Sequence, residues 1–412
     1  MTIPTGVQTV VAFAEESAFG TAANSTSGQL LRRVSFDLDK DKDTYESDEI
    51  IGTYQTSDFR HGMVKIAGTL KGRLSPGSYK TFMAHGLRRD FTAGAGGTST
   101  AYAAVAGLGF TDSAGGFLSA GFKVGDVVAT GTGTATGGGF GGSNATNNGR
   151  YYGIIALTTG SMGVVNLDGS AATIANDAAG ESVGINVVGK KTWVPTSGHT
   201  NKSSTIEKLL GTSTPISEVY LGNKVNSIAV TLPATGLNGV DFGFMGQSRA
   251  ALGTAAYFTS PSAASTTGLT AAVNGVVIYQ GAVIGLLTGL DFTVNGGMTV
   301  GAVVGSNITP DVFVGRVKVT GQFTAYLQDS TFIAAFDAES EVSISAILTV
   351  DNSASPKFVA FTLPRVKLGS AKKSDGEGPI IITAAFTALY NANGGSGTNS
   401  EATTISVQDS DA

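Results

Sequence analysis

Apolar and polar residues alternate through Met63–Leu74 and again through Val317–Leu327, and in both places a short amphipathic stretch follows. The positions Gly62, Val64, Lys65, Ile66, Gly68, Leu70 and Leu74 recur as Gly315, Val317, Lys318, Val319, Gly321, Phe323 and Leu327, at a constant offset of 253 residues. The register carries on into Tyr79, Phe82 and Met83, which correspond to Phe332, Ala335 and Phe336. A period of two predicts a strand, and apolar residues at i, i+3 and i+4 predict one face of a helix. The same strand–helix unit therefore appears twice. Duplication on this scale serves assembly more often than chemistry.

The remaining pattern predicts short strands separated by glycine- and hydroxyl-rich turns. Val7–Phe13 reads as a strand and Leu31–Lys40 as a half-buried one, followed by a polar excursion from Asp41 to Arg60. Ser75-Pro76 supplies a hydroxyl N-cap and a first-turn proline for the helix, and Gly86 a left-handed stop. From residue 94 the composition turns to Gly, Thr and Ala, so residues 94–196 read as an insert. Its predicted strands are Gly121–Val128, Arg150–Leu157 and Ser161–Leu167. The glycine-rich stretch 131–149 reads as a loop tip too poor in side chains to pack, with a turn at Asn148-Gly149. The first unit resumes with Asn201–Leu210, Val219–Leu232 and Val240–Met245. In the second unit Phe358–Val366 and Ile380–Tyr390 parallel Val225–Leu232 and Val240–Met245, and Thr403–Val407 reads as a final edge strand. The expected organisation is a first unit at 1–93 and 197–248, an insert at 94–196, a small-residue linker at 249–270 and a second unit at 271–412.

Composition agrees with a mainly β chain of more than one core: 412 residues, 42% hydrophobic, 58 Gly and only 14% charged. A net charge of −5 argues against general adhesion to nucleic acid, and the absence of Cys excludes disulfides and thiolate metal sites. No secretory leader is visible in the first ten residues, Met1–Val10. The uncharged stretch 271–290 has the length of a membrane helix. Its glycines, Asn274 and Gln280 favour two short strands joined at Gln280-Gly281.

Candidate chemistry is sparse. His61, His85 and His199 are far apart without metal spacing and read as surface residues, and no glycine run carries a phosphate-loop Lys-Ser/Thr. The run Asp37–Asp43 resembles a calcium loop, but Lys42 stands at its glycine position and Asp48 at its twelfth, bidentate position. As an extended strand it instead places Asp37, Asp39, Asp41 and Asp43 on one face, with Phe36, Leu38, Lys40 and Lys42 on the other. Glu15-Glu16 and Asp48-Glu49 have no apolar pocket to raise a pKa. Trp193, beside Pro195, reads as junction packing. No catalytic, cofactor or metal site is expected. The competing readings are a β-rich surface or pilus-like subunit and, more remotely, a carbohydrate-acting enzyme.

Longer patterns carry a family resemblance. Leu31–Phe36, Lys42–Ile50, Asp58–Gly62, Leu74–Tyr79, Val225–Ile228, Leu232–Gly236 and Phe242–Gly246 resemble tail tube proteins of long-tailed, non-contractile bacteriophages. So do Gly301–Asn307, Gly321–Tyr326 and Leu363–Gly369. The resemblance implies two tandem β-sandwich or barrel-like tube domains, each with a short helix, plus a small inserted β domain that must point outward. It implies a structural virion protein, assembled in the host cytoplasm, whose rings stack into a tube for genome ejection. Tube rings of this type have six domains, so two per chain would make a pseudo-hexameric ring of three chains. The implied partners are further copies of itself, a tape measure protein and tail terminator and tip proteins. Viral DNA would transit without specific binding, and no membrane is involved.

Elementary physics asks the same of a tube. An open sheet edge invites another strand, rings need closed rotational symmetry, and stacking needs contacts that never close. The excursion Asp41–Arg60 is longer than ordinary hairpin loops and unusually apolar. Tyr45, Ile50, Ile51, Tyr54 and Phe59 are expected to be buried between rings, with Lys42, Glu46, Asp48 and Glu49 setting register by charge.

Overall fold

Alternating side chains need a second layer to cover the apolar face of each strand, and the long strands of this chain provide two layers in each repeated unit. The computed structural model describes residues 5–131, 138–211 and 215–412. The first unit contains β1 (Val10–Glu15), β2 (Asp39–Glu46), β3 (Phe59–Arg73), helix α1 (Lys80–Leu87), β4 (Ser204–Leu210), β5 (Ile216–Pro233) and β6 (Gly239–Gly246). The second contains β7 (Val276–Tyr279), β8 (Leu287–Asn295), β9 (Lys318–Tyr326), helix α2 (Thr331–Asp337), β10 (Glu341–Thr349), β11 (Phe358–Leu368), β12 (Lys372–Lys373) and β13 (Ile381–Ala388), then β14 (Ser406–Asp409).

The antiparallel pairing order is β1–β4–β5–β6–β3–β2 in the first unit. In the second it is β7–β10–β11–β13–β9–β8. Equivalent strands follow one another in the same chain order, so the repeat extends from pattern to topology. In β5 the N-terminal half pairs with β4 and the C-terminal half with β6, with a register shift between Val225 and Ser227. One long strand thus turns the corner between the two layers. The core between them includes Phe13, Ile66, Leu70, Ile206, Val230 and Phe242, capped by Phe82 and Met83 of α1. Phe82 packs 4.6 Å from Phe13 and 5.2 Å from Phe244 between ring centroids.

The two units are joined edge to edge. Ser227–Pro233 of β5 pairs antiparallel with Gly289–Asn295 of β8, so one sheet runs without a break through β2–β3–β6–β5–β8–β9–β13. Gly68 and Gly321, equivalent in the repeat, allow close approach of neighbouring strands in this sheet. A Cβ at Gly68 would lie 2.3 Å from the Leu38 Cα, and one at Gly321 would lie 2.3 Å from the Asp291 carbonyl oxygen.

Residues 96–187 supply a separate seven-stranded antiparallel sheet. One face closes its own core around Phe110, Phe117, Phe122 and Tyr152. The other, with Val127, Ala129, Val165 and Leu167, packs on Val276, Ile278, Ile347 and Phe358 of β7, β10 and β11. The flanking strand Lys190–Trp193 pairs with β14, which in turn pairs with β11.

Several expectations need correction. The strand placed at Leu31–Lys40 starts in earnest at Asp39, and much of the excursion is ladder: β2 pairs with β3, leaving 47–58 as the connection. A free edge accepts a charged strand readily, which is why polarity misled. Ser75 does not cap α1. The helix starts at Lys80, and Ser75 Oγ meets Ser78 Oγ at 2.5 Å. The left-handed stop is Arg88 (φ 60°), while Gly86 lies inside the helix. In the insert, Phe117–Ala120 forms one helical turn and the strand begins only at Val127, because Gly121 and Gly125 adopt positive φ. In the glycine-rich tip, 132–137 lie outside the described residues, as do residues 1–4. Phe140, in the described part of that tip, is buried against Phe110, so this part packs. His85 is buried, its Nε2 3.2 Å from Glu15 Oε2. β14 is an interior strand between β11 and Lys190–Trp193. The linker packs as well: Phe258 is buried, and Glu207 accepts the amides of Tyr257 and Phe258.

Gln280 (φ 50°) and Gly281 (φ 78°) turn β7 into the short strand Ala282–Val283, as the two-strand reading expected. No helix among the described residues is long and apolar enough to cross a membrane. Trp193 lies under the Arg89 guanidinium, 3.3 Å from the ring centroid, at the junction of insert and first unit.

Candidate conduit wall and assembly surface

Residues directly opposite in a ladder share a face, so the pairings fix the two sides of the continuous sheet. One side carries Leu38, Ile66, Leu70, Phe242, Ile228, Leu290, Phe292, Val319, Phe323 and Phe386, all buried in the sandwiches. The other carries Asp39 opposite Ala67, Asp41 opposite Lys65 and Lys71 opposite Asp241. It continues as Asp241 opposite Ala229, Ala229 opposite Thr293, Thr293 opposite Thr320 and Thr320 opposite Thr387. This second side is polar from the first unit to the second.

Its charges are mixed. Lys65 Nζ reaches Asp43 Oδ1 at 2.5 Å, and that bond holds the ammonium above the usual lysine range. Burial pushes the Asp241 carboxyl up, against the pull of Lys71 and Arg73. Acidic and basic groups interleave with Thr, Ser, Ala and Gly, so neither sign builds a strong field along the face. The acidic run follows its predicted period of two as far as Asp41, and a register shift between Lys42 and Thr44 interrupts it at Asp43. No cluster of three or more metal-ligating groups occurs among the described residues.

The connection between β2 and β3, residues 47–58, closes the hairpin at the end of this sheet's outermost strand pair. Lys42, Tyr45, Glu46, Asp48, Glu49, Ile50, Ile51, Tyr54 and Phe59 are all exposed, with Ile50 at 98% and Tyr54 fully open to solvent. None of them is buried against its own unit. Exposed apolar groups collected on one loop are a feature of interaction surfaces.

The equivalent connection in the second unit, 296–317, is strapped down. Arg88, at the end of α1, donates from Nη1 to the Gly315 carbonyl (2.7 Å) and from Nη2 to the Gly296 carbonyl (2.8 Å). Lys224 of β5, fully buried, donates to Asp311 Oδ1 (2.6 Å) and the Val312 carbonyl (2.9 Å). Sequence reasoning missed both cations, because their partners lie more than eighty residues away. The one local signal was a cation at a helix C-terminus, where it also meets the helix dipole. The second unit ends α2 with the left-handed residue Glu339 (φ 50°), an acid that cannot donate to carbonyls.

The insert is held by polar as well as apolar contacts. The buried Lys191 Nζ bonds Asp126 Oδ1 (2.5 Å) and Glu401 Oε1 (3.0 Å). Burial opposes that charge, and the two carboxylates more than offset it, keeping the ammonium above the ordinary lysine range. Gln408 of β14 pairs with the Val127 amide (2.9 Å) and carbonyl (2.9 Å) and the Val188 carbonyl (2.7 Å).

No curated protein matches the chain. The family model described as phage tail tube protein matches residues 6–388, nearly the whole length and both repeated units. With its mainly β sandwich architecture, the chain belongs to the phage tail tube protein family.

Proposed function

We propose that three copies of this chain close into a ring whose wall is the continuous sheet, and that rings stack into a conduit for the viral genome. The observation that carries this reading is the β5–β8 junction: two units of one topology already share a sheet, with a polar side facing away from both cores. Two units per chain and six per ring give three chains. The first unit comprises 1–93 and 197–248 and the second 271–412. The insert at 94–196 faces outward, because it packs on the layer opposite the polar side. The role is non-enzymatic. DNA passes without specific contacts, and the tube ends meet tape measure, terminator and tip proteins in a virion assembled in the host cytoplasm.

In this reading the exposed arm between β2 and β3 docks on the next ring. Tyr45, Ile50, Ile51, Tyr54 and Phe59 become buried, and Lys42, Glu46, Asp48 and Glu49 set the register. By the repeat, the group facing the arm would be Glu339 of the neighbouring copy, an acid at the position from which Arg88 straps the second loop. Shortening Thr44–Ser57 to a tight turn is expected to give rings or protomers of unchanged melting temperature that do not elongate. Normal tubes from that variant, seen by negative-stain microscopy, would overturn the role of the arm. Cryo-EM rings of six full chains would overturn the stoichiometry.

A further inference from the structure

Two strand edges in this chain repeat the geometry of the β5–β8 junction and have no partner strand among the described residues. In the first unit, the equivalent of β8 is the segment Ser35–Asp41. Phe36 lies opposite Leu70 as Leu290 lies opposite Phe323, and Asp39 opposite Ala67 as Thr293 opposite Thr320. In the second unit, the equivalent of the paired half of β5 is Ser370–Ser374. Lys372 faces Thr383 on β13 as Ala229 faces Asp241 on β6, and Lys373 faces Ile382 as Val230 faces Val240. Both edges are open. The Lys40 and Lys42 amides bond only the carboxylates of the preceding residues, Asp39 Oδ1 (2.7 Å) and Asp41 Oδ1 (2.8 Å). Lys372, Lys373 and Ser374 are exposed.

We propose that the Ser370–Ser374 edge of one copy pairs antiparallel with the Ser35–Asp41 edge of a second copy, with Lys372 opposite Asp39. This rests on the ring reading above. The intrachain register carries the assignment: Ala229 opposite Thr293 becomes Lys372 opposite Asp39, Thr231 opposite Asp291 becomes Ser374 opposite Asp37, and Ser227 opposite Asn295 becomes Ser370 opposite Asp41. The charges fit. Asp37 and Asp39 have no ion-pair partner within the described residues, since Lys65 engages Asp43. Like charges along one strand face repel, and a lysine set opposite the middle one reverses the sign of that term. Lys373 turns to the other face, beside Leu38. The acidic run, which no metal or catalytic reading absorbs, becomes one half of the seam between copies.

The natural chain has no Cys, so the seam can be tested by cross-linking. In the double variant Asp39→Cys/Lys372→Cys, directly opposed strand residues fall within disulfide reach. Mild oxidation of assembled rings is expected to give covalent multimers on a non-reducing gel, ending in a closed three-chain species. Shifted controls, Asp37→Cys/Lys372→Cys and Asp41→Cys/Lys372→Cys, are expected to cross-link at least tenfold more slowly. Separately, Lys372→Asp is expected to abolish rings at unchanged melting temperature, and Lys372→Asp with Asp39→Lys to restore them. Three-chain rings of both the wild type and the double-cysteine variant, with no cross-link in the variant, would overturn the seam and leave the ring reading standing. Absence of any ring from the wild type would overturn both. Failure of the charge swap to rescue would overturn the Lys372–Asp39 register.

Discussion

Gly86 shows how one side chain's absence sets helix packing. Alanine is the better helix former by about 1 kcal/mol. Here its Cβ would lie 2.6 Å from Ile228 Cδ1 and 3.3 Å from Val225 Cγ1, and overpacking of that kind costs about 1–3 kcal/mol. The clash outweighs the propensity, so Gly86→Ala is expected to lower stability, read as a reduced midpoint in denaturant. A second residue-scale effect concerns acid. The hydrogen bond from His85 holds the Glu15 carboxyl down at about 2, against its burial and with help from Lys202. The folded value lies below the unfolded one, so the stabilisation is present above pH 4.5 and disappears as pH falls towards 2. The carboxylate is well exposed, and solvent screening leaves about 1 kcal/mol of this. Glu15→Gln is expected to be less stable than the natural protein at pH 6 and equal to it near pH 2. A constant gap across that range would refute the assignment.

At the scale of elements, the insert is bound more tightly than its composition suggests. Its strands cover Val276, Ile278, Ile347 and Phe358, each contributing about 1.5–3 kcal/mol when fully buried. Replacing residues 94–189 with a short Gly/Ser linker is therefore expected to yield aggregation-prone protein with a depressed melting temperature. Thinner intact tubes would show that the face tolerates water. The long connections behave oppositely in the two units for an equally concrete reason. Arg88 and Lys224 satisfy carbonyls and an aspartate in the second, whereas at the base of the first an exposed Arg60 bonds Asp58, two residues away on the same hairpin.

For the whole molecule, the proposed conduit would turn the polar side of the continuous sheet towards DNA. Phosphate binding requires clustered cations whose occupancy releases counterions. Here Lys65, Lys71, Arg73 and Lys318 alternate with Asp39, Asp41, Asp241 and Asp291 across the strands. Assembled tubes are expected to show no salt-dependent retention of short duplexes on a filter. Tight retention with a steep salt slope would contradict a neutral lining.

The repeat, the strand–helix unit, the β class, the two faces of the acidic run as far as Asp41 and the turn at Gln280-Gly281 were all legible in the sequence. Each depends on periodicity or on a residue's own backbone preference, which local order encodes. The cap at Arg88, the burial of His85 and Phe140, and the extension of β2 into the polar excursion were not legible. Neither was the hold of Arg88 and Lys224 on a distant loop. Those depend on which edge, carbonyl or apolar face lies opposite after folding. Only tertiary structure could decide them, because a polar side chain reads the same in solvent as it does beside a partner two hundred residues away.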